Sequence, residues 1–298
     1  MRWLVEGPRG RRLLWQLVEQ RTAMLDVEQA VRSLPPDVSW TDLDLHRAFA
    51  DAVTWARYWQ EPDEVDHALL DAGDLLAEVA DLVAVPGWWT APVARDEQVL
   101  VTWEGPATEL SGAADRLAHW RAATLADEAR ARLERPTATE ASWSGHWWST
   151  PAESGLPATT RAAAGLELVE DSLGWASAQV QPVAMDPDVR VFEIDGPGDW
   201  VRLVDAYPLD LSASRRHDWW RAVGAREPLL IPDYAALAED WDGVHVSARG
   251  YLTAATRALP TALGCTVLAG WNPDQTWWLT DVVRAQGPAR RVPVSGRG

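Results

Sequence analysis

Twenty tryptophans in 298 residues, against two phenylalanines and four tyrosines, constrain this chain more than any other feature. Indole is the largest side chain and carries one N–H that needs an acceptor once buried. A chain this rich in it is expected to fold around wide, flat, buried anchors. Doublets recur at Trp88-Trp89, Trp147-Trp148, Trp219-Trp220 and Trp277-Trp278. Two of them sit in similar phrases, Gly87-Trp88-Trp89-Thr90-Ala91-Pro92 and His146-Trp147-Trp148-Ser149-Thr150-Pro151. They read as plugs at the ends of an aromatic core, in preference to a gate over a ligand.

Charge and composition exclude several classes of function. The formal net charge is −17, which argues against broad binding of nucleic acid or anionic membrane. The chain contains no lysine, so Schiff-base chemistry, a pyridoxal phosphate anchor and a Walker-type phosphate loop are ruled out. Cys265 is alone, so neither an intramolecular disulfide nor a cysteine-rich metal site can form. No stretch approaches the ~18 apolar residues of a membrane span, and the first residues lack the apolar run of a signal peptide. The expectation is a cytoplasmic protein without a membrane partner, and no cofactor or metal is expected.

Periodicity predicts an α+β protein, with a helical N-terminal half and a C-terminal, mainly antiparallel sheet domain carrying inserted helices. The divisions expected are 1–135, mostly helical; 136–160, loop-rich; 161–283, the sheet domain; and 284–298, a flexible tail. Residues 1–9 read as a short strand and turn, followed by a helix from Arg11 with Leu13, Leu14, Leu17 and Val18 on one face. Thr41 with Asp44 reads as a capping box. Pro62 stands at a helix start, Gln98 to Trp103 as a strand, and Ser111 to Glu134 as a helix ended by Pro136. Further on, 166–171 and 176–183 read as a hairpin, Val189 to Ile194 as a strand, and Pro197 to Val204 as a helix. Cys265–Trp271 is expected to pair with Thr276–Thr280 across a type I turn.

Two segments concentrate polar chemistry. From Trp241 to Leu252 the chain alternates, so a strand would carry His245, Ser247, Arg249 and Tyr251 on one face, spaced roughly 6–7 Å apart. That row suits the floor of a pocket. The second segment, Leu211 to Arg221, holds Ser212, Ser214, Arg215, Arg216, His217 and Asp218. It reads either as an anion-recognising loop or as a surface loop whose arginines pair with the surplus acids. Arg9, Arg11 and Arg12, near the glycine turn at Gly7 and Gly10, carry the same two readings.

The phrases Arg215-Arg216-His217-Asp218-Trp219, Ile231-Pro232-Asp233-Tyr234, Asp242-Gly243-Val244-His245 and Ala269-Gly270-Trp271-Asn272-Pro273-Asp274 resemble a group of actinobacterial proteins, over about residues 145–282. That resemblance implies no activity. A fainter one is to mono-ADP-ribosyltransferases, through Arg190 in Val-Arg-Val and through Ser212-Ala213-Ser214. The Glu/Gln-x-Glu motif of those enzymes does not follow Ser214.

Together these features predict a protein that binds a small anionic ligand, phosphorylated or nucleotide-like. It would act as a binder or as a transferase or hydrolase. In that reading His245, His217 and Tyr251 are catalytic, and Arg215, Arg216, Arg249, Ser247, Ser212 and Ser214 bind substrate. The competing expectation is a non-enzymatic interaction module that docks a basic partner on an acidic, Trp-rich surface.

Overall fold

Three N-terminal helices open on side-chain caps. Asp26, Thr41 and Asp63 each accept a backbone N–H from the first turn, and Thr41 and Asp44 close a full capping box. The computed structural model of the chain describes residues 1–23, 26–103, 108–170 and 174–294, without the Ala163 side chain. Its helices are α1 (Pro8–Glu19), α2 (Val27–Arg32), α3 (Asp42–Thr54), α4 (Glu64–Leu70), α5 (Gly73–Ala80), α6 (Ala113–Glu134), α7 (Ala162–Glu167), α8 (Pro197–Ala206), α9 (Ser212–Val223), α10 (Tyr234–Leu237) and α11 (Ala248–Ala254). The strands are β1 (Gln98–Thr102), β2 (Ala158–Arg161), β3 (Ser177–Met185), β4 (Val191–Ile194), β5 (Pro208–Asp210), β6 (Leu230–Pro232), β7 (Gly243–Val246), β8 (Leu259–Pro260), β9 (Cys265–Thr266), β10 (Gln275–Trp278), β11 (Val283–Ala285) and β12 (Arg290–Pro293).

The α+β class holds. Eight strands form one mixed sheet in the order β11-β3-β1-β2-β10-β7-β4, with β12 also on β3. All its pairings are antiparallel except β4 with β7. The sheet recruits β1, from the mostly helical half, into its interior between β2 and β3. One large apolar cluster runs from Leu13 and Leu17 of α1 through Phe49 of α3 to Val244, Val246 and Leu252. A small second cluster holds Leu100, Val183, Val189, Trp278 and Val283.

The tryptophans are spent inward. Trp89, Trp219 and Trp278 are each fully buried, so three of the four doublets plug one ring into the interior. Among the described residues only Trp55 and Trp143 are exposed, each at 41%. Several buried indoles find acceptors: Trp219 donates to Trp147 O, Trp200 to Thr266 Oγ1 and Trp278 to Thr159 Oγ1.

Several expectations need correction. The first residues make a 3-10 turn, Arg2–Val5, and no strand. Leu166 lies in α7, so the expected hairpin at 166–183 is absent; residues 171–173 lie outside the described residues. Cys265 and Thr266 pair with β8, while β10 pairs with β2 and β7, so no hairpin joins 265–271 to 276–280. Residues 283–293 are not a free tail, because β11 and β12 both add to β3. The largest correction falls on Trp241–Leu252. Its strand ends at Val246, where the Ser247 side chain accepts the Gly250 N–H and starts α11.

Helix α11 packs closer to the sheet than any side chain allows. A Cβ on Gly250 would lie 2.2 Å from Ile194 O at the end of β4. Gly198, in α8, has open space around the same atom. Gly250→Ala is therefore expected to destabilise the protein by about 2 kcal/mol or more, and Gly198→Ala to be neutral or slightly stabilising. Urea unfolding of both variants checks this; equal midpoints would refute the close approach.

Candidate functional site

The residues singled out from the sequence do not converge on one site: Ser212 and Arg216 line a second cleft with Asp210 and Glu227, and Ser247 and Arg249 share Asp195. His245 and Tyr251 fall on different elements, β7 and α11, with Ser247 capping the turn between them. Residues 212–221 form α9, not a loop, and the sheet does not bring His217 to His245. The His217 ring meets Thr139 O at 3.1 Å, while the His245 ring lies between Glu193 and Asp274. Ser212 and Ser214 lie in the first turn of α9. Arg190, just before β4, pairs with Asp242.

The guanidinium groups expected to hold an anion are spent within the protein. Arg215 is buried and donates to Trp148 O and Ser214 Oγ. Burial pushes its pKa down to about 10, against the pull of Asp127 and Glu128. Arg216 pairs with Glu227 and Arg249 with Asp195. Ser212 donates to Asp210, and Ser247 donates to Asp195 while capping α11. The start of α9 is itself occupied, since the Glu128 carboxylate accepts the N–H groups of Ala213 and Ser214 at 3.0 and 2.8 Å. Sequence gave no hint of that, because Glu128 lies 85 residues upstream of Ala213.

His245 is fully buried. Its Nδ1 is 2.5 Å from Glu193 Oε2, and its Nε2 is 3.4 Å from Asp274 Oδ1. Burial works against its charge, but Asp274 and Glu193 outweigh it and raise its pKa above the ordinary value. Asp274 in turn holds Arg161 at 2.7 Å. This is a charge ladder across the sheet, in which both ring nitrogens face carboxylates and the ring is sealed from solvent, its Nε2 without a hydrogen-bond partner.

A second buried network joins the N-terminal helices to the sheet half. Tyr58 and Tyr251 both donate to Glu170 Oε1, at 2.6 and 2.9 Å. Burial pushes the Glu170 carboxyl up to about 8, against the lowering influence of the two phenols and of Arg9. Arg9, 1% exposed, pairs with Asp66 and donates to Ala52 O and Thr256 Oγ1.

Arg9 also forms one wall of a cleft of about 440 Å³ between α1, the 55–67 segment, the end of α9 and the 256–258 turn. This is where unspent charge collects. Arg57 lines the cleft with its guanidinium between the Trp55 and Trp59 rings, 5.6 and 5.8 Å from their centroids. Its Nε is sealed from water without a partner. Among the described residues it is the one half-buried arginine with neither a hydrogen bond nor an ion pair. Thr256, on the same lining, holds φ at +56°, a region unfavourable to a β-branched residue. Strain of this kind concentrates at ligand sites.

No family model, curated protein or solved structure matches this chain. The function must therefore be argued from the cleft itself. Sequence reasoning came near it through Arg9 and Arg12, which pair with Asp66 and Asp63 of the α4 segment. It passed over Trp55-Ala56-Arg57-Tyr58-Trp59. The signal there is an alternation that sends Trp55 and Arg57 toward the cleft and Tyr58 inward.

The Glu170 carboxyl predicts a pH dependence. Between its ordinary value of 4.5 and about 8 the folded protein keeps a proton that the unfolded chain has lost. Stability therefore falls as pH rises through that window and levels off above it. His245, with its raised pKa, adds a loss of the same sign as pH climbs past its folded value. Glu170→Gln cannot titrate, so its stability relative to wild type is expected to climb between pH 5 and pH 8, by on the order of 4 kcal/mol at most. Urea titrations at both pH values measure the difference. A constant offset would mean that Glu170 is ionised in the fold.

Proposed function

We propose that this protein binds a small anionic ligand in the cleft lined by Arg9, Arg57, Arg221 and Arg257. The single observation that carries the reading is Arg57. The chain has far more acids than bases, and most of its half-buried guanidiniums are held by a carboxylate or a carbonyl. One that is half-buried, fixed between two indoles and left without a counter-charge is a vacancy for an anion.

The neighbouring groups support the same reading. The carboxylates of Asp63 and Asp66 in the cleft are already taken by Arg12 and Arg9, so they do not cancel Arg57. Among the described residues Arg257 donates only to the carbonyls of Glu6 and Thr253. Its pKa is lowered by burial and by the adjacent Arg11, against the opposing pull of Glu6. The cavity has the size of ordinary small-molecule sites. The competing reading, a Trp-rich docking surface, has little to rest on, because nearly all the indoles are buried or half-buried.

Calorimetric titration of the full chain with inorganic phosphate and with ribose 5-phosphate tests the proposal. Saturable binding is expected, weakened roughly ten-fold or more in Arg57→Met, which keeps the aliphatic stem between the rings and removes the charge. Binding should also weaken with added salt. Absence of binding at millimolar ligand, or equal affinity in the variant, would contradict it.

A further inference from the structure

We infer that the ligand of this cleft is a phosphate monoester of the nucleotide class, its phosphate between Arg57 and Arg257 and its ring on Trp55. The inference rests on the anion-binding reading above and adds to it the chemistry of the rest of the molecule.

Charge selects the phosphate. Two lining arginines, Arg57 and Arg257, make no carboxylate ion pair among the described residues, although Glu6 acts on Arg257 from nearby. By contrast, Arg9 has Asp66 and Arg221 has Asp218 at 3.4 Å. A carboxylate brings one negative charge. A phosphate monoester brings nearly two at neutral pH and three terminal oxygens, enough to accept from two guanidiniums at once.

The remaining lining selects a ring. A cleft of about 440 Å³ is far larger than a phosphate needs, and much of its wall is apolar, including Pro8, Pro62, Leu70 and Val223. Trp55 and Leu70 are among the few large apolar side chains exposed on the protein, at 41% and 52%, and both open onto this cleft. The Trp55 ring is fixed from within. Arg12, itself 3% exposed, lies 4.9 Å from its centroid, and Arg57 flanks it. An indole immobilised in this way is a stacking platform whose ordering cost is met before the ligand arrives.

One lining group would repel an anion. Glu61 is exposed and makes no ion pair among the described residues. A carboxylate beside a phosphate site is a poor neighbour for a bare anion but a good acceptor for sugar hydroxyls, the use that acidic residues serve at ribose in dinucleotide sites. Phosphate, hydroxyl-bearing sugar and flat ring then each meet the group that suits it.

Calorimetry on the full chain, at one ionic strength, separates the parts. The probes are AMP, adenosine, ribose 5-phosphate and inorganic phosphate, with wild type, Trp55→Ala and Arg257→Met. AMP is expected to bind at least ten-fold more tightly than ribose 5-phosphate, and adenosine much more weakly than AMP. Trp55→Ala should remove most of the advantage of AMP over ribose 5-phosphate, beyond any loss the two share through Arg57, which Trp55 flanks. Arg257→Met should weaken both phosphates. Trp55→Leu, which keeps apolar volume, guards against a folding defect and should also lose the advantage. Equal affinities for AMP and ribose 5-phosphate, or a preference for AMP that survives both Trp55 substitutions, would overturn the ring assignment and leave the anion site standing. Adenosine binding as tightly as AMP would overturn the phosphate assignment. Failure of every phosphate to bind would remove both.

Discussion

The buried guanidinium of Arg9 ties together segments that nothing local would bring to one place. From α1 it reaches Asp66 on α4, the Ala52 carbonyl on α3 and the Thr256 hydroxyl just beyond α11. A charge taken this far from water is tolerable only with its partners complete, and loss of one leaves the rest uncompensated. The N-terminal helices therefore cannot drift from the sheet half without exposing it. Arg9 also holds the hydroxyl of Thr256, whose backbone is strained, so the floor of the cleft is fixed by the same contact that fixes the fold.

The segment between α3 and α4 divides its side chains between two tasks. Tyr58 turns inward, stacks on Trp147 at 5.3 Å and donates to Glu170. Trp55 and Arg57 turn outward onto the cleft, while Trp59 flanks Arg57 and packs against Trp147. The carboxyl that anchors the segment from below is kept neutral by burial. Placing an unpaired cation at the surface of such a rigid segment is what makes it available to a ligand rather than to a passing surface acid.

Much of the fold was legible where one signal was local and sufficient. The capping box at Thr41, the apolar face of α1, the strand at 98–102 and the long helix ending before Pro136 all follow from residues a few positions apart. Reading failed where a pattern admits two structures. Alternation from Val244 to Leu252 fits a long strand, but a serine at position 247 is also a helix cap, and the Asp195 carboxylate that engages it lies 52 residues away. The polar run of α9 looked like an exposed loop because its partners, Glu128, Asp210 and Thr139, come from other segments. The site was the least legible part. That Arg215 is spent and Arg57 is free depends entirely on which groups the fold brings near each, and no spacing in the chain encodes it.

A crystal structure grown with AMP tests the central claim most directly, because it asks where an anion settles when the whole surface competes for it. The account predicts phosphate oxygens within hydrogen-bonding distance of the Arg57 guanidinium, inside the cleft walled by Arg9 and Thr256. Density elsewhere, or an Arg57 swung out to pair with Glu61 over an empty cleft, would contradict it.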